Sequence, residues 1–152
     1  MVNNDVLRRV RYIFDFSDDK MMNLFKDGGY EATRAEISDW LKQDDDSDFK
    51  NCADYRLAAF LNGLIIEKRG RREGEQPKPE KKLTNNGIFM KLKIALNMKA
   101  EDVLDILTLA DFALGKHELS AFFRRPDHKH YRECKDQVLR NFLKGLQIKY
   151  RP

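Results

Sequence analysis

The segment Phe122-Phe123-Arg124-Arg125-Pro126-Asp127-His128-Lys129-His130-Tyr131-Arg132 holds the densest set of groups able to recognise another molecule. Guanidinium and ammonium groups neutralise phosphates, and an imidazole or phenol ring beside them can stack or hydrogen-bond. Arg124, Arg125, His128, Lys129 and Arg132 are the loop part of a candidate binding patch, and Arg140 and Lys144 are its helical part. The competing reading is a solvated loop anchored in the core by Phe122, Phe123 and Tyr131, since charge runs usually face water.

Other constellations carry less. His128-x-His130 with Asp127 beside it has the beginnings of a metal pair, but no third or fourth ligand stands at a persuasive spacing, so no metal is expected. The acidic run Asp44 to Asp48 lacks the glycine and terminal glutamate of a calcium loop and reads as a solvated turn. Cys52 and Cys134 each precede an apolar helical segment, where a small side chain packs under the helix start; a reduced, structural thiol is expected at both. There is no Gly-x-Ser-x-Gly, no phosphate-binding glycine loop and no Cys with a helix-spaced His, so no catalytic residue or cofactor is assigned. A helix-turn-helix around Gly28-Gly29 is disfavoured by a long connection and by Glu31, Glu36 and Asp39; the second half, with Lys116, His117 and Ser120, is more permissive.

The elements that position these residues repeat. Residues 3 to 69 lie over residues 85 to 151 without a gap, at a shift of about 82 positions. Asn3-Asn4 meets Asn85-Asn86, Phe49-Lys50-x-Cys52-x-Asp54 meets Tyr131-Arg132-x-Cys134-x-Asp136, and Leu57-x-x-Phe60-Leu61-x-Gly63-Leu64 meets Leu139-x-x-Phe142-Leu143-x-Gly145-Leu146. Each copy reads as four helices. The first carries Val6, Val10, Ile13 and Phe14 on one stripe, with Asn4 as its expected N-cap; its counterpart carries Ile88, Leu92, Ala95 and Leu96. The second helix buries Met21, Met22, Leu24 and Phe25, and ends at Gly28-Gly29. The third begins with a Thr33 to Glu36 capping box, which Gly115 weakens in the second copy.

The fourth helix is the most apolar segment, with Asp54 or Asp136 expected as its N-cap. Glycine inside a helix costs about 1 kcal/mol relative to alanine, so Gly63 and Gly145 in both copies point to a close helix contact. On the next face the copies part: Ala58, Asn62 and Ile65 in the first, Arg140, Lys144 and Gln147 in the second. The first copy's helix is expected to be central and the second's half exposed and basic.

The fold class expected is all-α, two tandem four-helix repeats docked through apolar helix faces. Repeat one spans 1–69, a polar Pro/Gly-containing linker 70–84, and repeat two 85–152. A half alone buries only about 60% of its unfolded surface, which favours docking. The linker reads as a solvated tether that leaves open a pseudo-dyad, an end-to-end array or an exchange of halves between two chains. The net charge of +4 divides into −3, +2 and +5 over the first half, linker and second half. No stretch approaches the roughly 18 apolar residues of a membrane span and the N-terminus reads as no leader, so a cytoplasmic protein without membrane contact is expected.

At Asn3-Asn4-Asp5-Val6-Leu7-Arg8-Arg9-Val10-Arg11-Tyr12, at Phe60-Leu61-Asn62-Gly63-Leu64-Ile65-Ile66-Glu67-Lys68-Arg69-Gly70 and at Pro126 to Cys134, the chain resembles the YehS-like family of uncharacterised bacterial cytosolic proteins. The resemblance spans nearly the whole chain. It implies two copies of a helical domain of unknown function (1456), from a bacterial source, with no activity, cofactor or catalytic residue to carry over. The function expected is a non-enzymatic macromolecule-binding module with a protein partner, homodimer formation remaining open. Nucleic-acid binding through the same basic residues is the alternative, and an enzyme with a site between the repeats a third.

Overall fold

The computed structural model describes residues 1–152 and has eight helices and no strand. Repeat one contains α1 (Asn3–Phe14), α2 (Asp18–Asp27), α3 (Arg34–Leu41) and α4 (Asp54–Arg69). Repeat two contains α5 (Asn85–Ala95), α6 (Ala100–Leu109), α7 (Lys116–Phe122) and α8 (Asp136–Tyr150). Each helix in the second set begins 82 positions after its counterpart in the first.

Helix starts follow a shared device, with departures from expectation at Asn4, Asp54 and Asp136. In α3 the Thr33 hydroxyl accepts the Glu36 N–H at 3.1 Å while the Glu36 carboxylate accepts the Thr33 N–H at 3.0 Å. The same return bond from the third helical residue caps α7, where Gly115 donates to Glu118 at 3.0 Å, so only the hydroxyl half is missing there. Asn4 does not cap α1: Val2 occupies that place, as Thr84 does for α5. Asp54 and Asp136 are likewise one residue inside their helices, after Ala53 and Lys135. These polar residues serve longer connections. Buried Asn4 donates to the Trp40 and Lys50 carbonyls at 2.9 and 2.8 Å and accepts the Cys52 N–H at 3.0 Å. Asn86 repeats the arrangement with Phe122, Arg132 and Cys134 at 2.9, 2.8 and 2.9 Å. One amide thus ties the first helix of each repeat to the end of its third and to the stretch of chain leading into its fourth.

The core is one continuous cluster across both repeats, including Leu7, Phe25, Trp40, Phe60, Phe89 and Phe142. Burial of each such side chain contributes about 1.5 to 3 kcal/mol. In α4 every residue from Leu57 to Leu64 is buried, whereas α8 keeps Arg140 and Lys144 in solvent. The central first copy and half-exposed second copy are as the faces predict. Glycine sets the closest helix approach. A Cβ on Gly63 would overlap the Leu24 carbonyl of α2, one on Gly28 the Ala59 carbonyl of α4, and one on Gly145 the Ile106 carbonyl of α6.

The repeats dock as a pseudo-dyad. α4 packs on α5, and the equivalent pair α8 and α1 packs on the other side of the axis. Reciprocal hydrogen bonds follow the same exchange: Arg69 donates to the Ile94 carbonyl at 2.9 Å, and Arg151 to the Tyr12 carbonyl at 2.6 Å. The linker is more than a tether. Pro79 covers Gly29, Arg71 lies 3.6 Å from Asp27, and Gln76 is half-buried.

Candidate functional site

Of the seven basic residues singled out in the sequence, three line one cleft and one lines another, while Arg125, His128 and Lys144 stand on the surface beside them. Arg124, Lys129 and Arg132 line an open cleft of about 850 Å³ with His117, His130, Tyr131 and the carboxylates of Glu118 and Glu133, shaped by the end of α7 and the loop after it. The loop is folded, not loose. The His128 and Tyr131 N–H groups close turns onto the Arg125 and His128 carbonyls at 2.9 and 3.0 Å, and the Arg132 N–H reaches the Ala121 carbonyl at 3.2 Å. Arg124 donates to the His130 carbonyl at 3.3 Å. Phe122 is buried and Phe123 packs edge-on against Phe89 with ring centres 5.0 Å apart, so both aromatic residues anchor the loop as well as flank it.

Among the loop cations only Arg125 forms an ion pair, with Asp127 at 3.7 Å, and both side chains are largely exposed. Arg124, Lys129 and Arg132 form no ion pair. In repeat one the equivalent loop carries Asp44, Asp45, Asp46 and Asp48, so the two loops differ in sign on a shared backbone frame. His128 and His130 stand with ring centres 5.6 Å apart, but the His128 Nδ1 already accepts the His130 N–H at 3.0 Å. No group of three or more His, Cys, Asp or Glu side chains converges.

Arg140 belongs elsewhere. It lines a cleft of about 520 Å³ between α1 and α8, together with Arg8, Arg9, Tyr12, Gln43 and Gln147. Lys144 lies one turn along the same exposed side of α8. This surface includes first-repeat residues that the sequence reading left out. The signal available was the run Arg8-Arg9-x-Arg11, where the second copy reads Met90-Lys91-x-Lys93.

A third cavity, of about 400 Å³, lies beneath the linker between Gly28, Asn62, Ile65, Ile66, Gln76 and Pro79. Asn62 Oδ1 accepts the Lys91 ammonium at 2.6 Å, whereas Asn62 Nδ2 and Gln76 Oε1 are buried without a partner. Both cysteines are free and buried; burial pushes the Cys52 and Cys134 thiols up to about 12, which suits packing and not nucleophilic chemistry. The α6–α7 corner is a poor DNA reader, since α7 has only 7 residues and its Lys116 is held by Glu101 at 3.0 Å. No helix is long and apolar enough to cross a membrane.

Two segments, residues 3–70 and 85–151, match the family described as "Protein of unknown function (DUF1456)". An "Uncharacterized protein YehS" from Escherichia coli (strain K12) is 44% identical over 147 residues, which is 96% of this chain and 94% of that protein. No solved structure matches the chain.

Proposed function

From the premise that the chain belongs to the DUF1456 family, of which it carries two copies, we propose a non-enzymatic helical module that binds an acidic protein segment through the loop after α7. The observation that carries this reading is the set of three cations, Arg124, Lys129 and Arg132, which outnumber the Glu118 and Glu133 carboxylates around one open cleft and form no ion pair with them. Arg125 and His128 stand exposed on the same loop. Carboxylates of a partner would supply the missing counter-charges, and Arg forks favour bidentate pairing. Charge complementarity of this kind sets encounter rate and partner choice more than raw affinity.

The test is titration of the full chain with a glutamate-rich peptide, followed by fluorescence anisotropy. Binding is expected for the native protein and loss for the Arg124→Glu, Arg125→Glu, Lys129→Glu triple variant. Equal binding by the variant overturns the reading. A labelled duplex or single strand bound more tightly than the peptide, with affinity falling steeply as salt rises, replaces it with nucleic-acid recognition.

A further inference from the structure

We propose that the cleft between α1 and α8 is a binding site for a small soluble phosphate monoester, held by the Arg9 and Arg140 guanidinium groups. This inference is independent of the loop after α7, which lines a different cleft.

Exchanging the repeats carries the α1–α8 contact onto the α4–α5 contact, so every position in the cleft has a counterpart on the other side of the axis. Arg8, Tyr12, Arg140 and Gln147 correspond to Met90, Ile94, Ala58 and Ile65. At these four positions the α4–α5 side carries apolar side chains and the α1–α8 side polar ones. Both helix pairs pack although these four positions differ in polarity, so the docking does not by itself explain the polar set.

Arg9 sharpens the contrast. Its counterpart, Lys91, is nearly buried and doubly satisfied, donating to Asn62 Oδ1 at 2.6 Å and pairing with Glu80 at 3.0 Å. The position equivalent to Asn62 is Lys144, so the acceptor has been exchanged for another cation. Arg9 makes no side-chain hydrogen bond or ion pair; Arg140 makes none either, although its charge helps to hold down the Asp136 carboxyl one turn earlier on α8. Arg8 is already committed to Asp5, to Asp44 and to the Lys42 carbonyl. Three arginines and the Met1 ammonium stand against the Asp5 carboxylate and against Asp136, which holds that ammonium at 3.0 Å, a formal surplus of two positive charges.

Two unspent guanidinium forks from opposite repeats match a dianion with at least three acceptor oxygens, which a phosphate monoester is and a single carboxylate is not. The remaining lining suits a hydroxylated body: the Gln43 and Gln147 amides both donate and accept, and Tyr12 presents a phenol. A volume of about 520 Å³ falls within the range of small-ligand clefts and exceeds that of phosphate alone.

Isothermal titration of the full chain with glycerol 3-phosphate tests the site, with glycerol and inorganic sulfate as comparisons. Saturable one-site binding is expected for glycerol 3-phosphate and none for glycerol. Arg9→Gln and Arg140→Ala should each weaken it roughly tenfold to a hundredfold, the effect of losing a charged hydrogen-bonded contact. Lys144→Asn should weaken it too, by restoring the acceptor that occupies Lys91 across the dyad. Arg140→Ala and Lys144→Asn only install the residue types of Ala58 and Asn62, so the fold should tolerate them; thermal midpoints within a few degrees of the native value verify this. An Arg125→Ala, Lys129→Ala double variant should bind glycerol 3-phosphate unchanged. Absence of saturable binding, equal affinity in the cleft variants, sulfate binding as tightly, or loss only in the loop variant overturns the proposal. So does association with phosphatidic-acid vesicles without binding of the soluble ester.

Discussion

The Asp54 carboxylate accepts the Leu83 backbone N–H at 3.0 Å across the boundary between the repeats. Its counterpart Asp136 receives the Met1 ammonium, also at 3.0 Å, in the dyad-related exchange. Each carboxylate spends its other oxygen inside its own repeat, on Asn3 at 2.8 Å or Asn85 at 2.7 Å. One side chain thus fixes the first helical turn of its own repeat and the chain entering the other. A separation of the repeats would break both bonds together, which couples folding of each half to docking.

Gly63→Ala is expected to destabilise the protein by about 3 kcal/mol or more, beyond the usual 1 to 3 of overpacking, because the added methyl meets backbone and not a movable side chain. Gly145→Ala meets the Ile106 carbonyl and should behave alike. Urea unfolding monitored by circular dichroism reads both. A Gly63→Ala variant as stable as the native chain would mean that α2 and α4 do not approach as described.

Asn4→Ala removes two donors and one acceptor from buried backbone partners, so a loss of about 2 to 4 kcal/mol is expected. Asn4→Asp keeps the acceptor for the Cys52 N–H but turns a carboxylate oxygen toward the Trp40 and Lys50 carbonyls. It should be no better than alanine. Equal stability of the aspartate variant and native protein would rule out the amide clamp.

How far these features could be read from sequence depends on the range of the interaction. The helices, the 82-residue shift and the close approach at Gly63 follow from periodicity and self-comparison, which need only neighbouring residues. Asn4 and Asp54 were legible as structural polar residues but not in their roles. An Asn at a helix start looks the same whether it meets its own helix or the distant Trp40 and Lys50 carbonyls. The dyad was illegible for a similar reason: Arg69 and Arg151 reach backbone carbonyls, and a carbonyl carries no residue signature. The division of the basic patch arises because α8 turns Arg140 toward α1, a three-dimensional relation that charge counting along the chain does not contain.

Acidification should lower stability through Glu36 and Asp136. The Thr33 backbone N–H and then the Tyr30 hydroxyl hold the Glu36 carboxyl below its ordinary range, and the Asn85 amide followed by the Met1 ammonium does the same for Asp136. A depressed carboxyl stabilises the folded chain above its unfolded value, and that contribution is lost as pH falls through the folded one. The melting temperature should therefore be level with respect to these groups above about pH 5 and decline below it. Glu36→Gln should melt lower at neutral pH and converge on the native curve in acid. Parallel curves that never converge would exclude the Glu36 charge as the cause.

The two thiols provide a readout of whether the repeats open independently. Cys52 and Cys134 lie under the starts of α4 and α8 at 4% and 1% exposure, their N–H groups bound to Asn4 and Asn86. Burial disfavours both thiolates, so reaction with a disulfide reagent at pH 8 should await unfolding. Because the core is continuous across the dyad, both thiols should react at one common rate that rises with denaturant in step with loss of helicity. Repeat two makes the sharper prediction, since its α6–α8 contact lacks the Gly28 of repeat one, where Ala110 stands instead. Cys134 labelling well ahead of Cys52 in the native protein would show that the second repeat opens alone, and that the reciprocal bonds at Asp54 and Asp136 do not couple the halves.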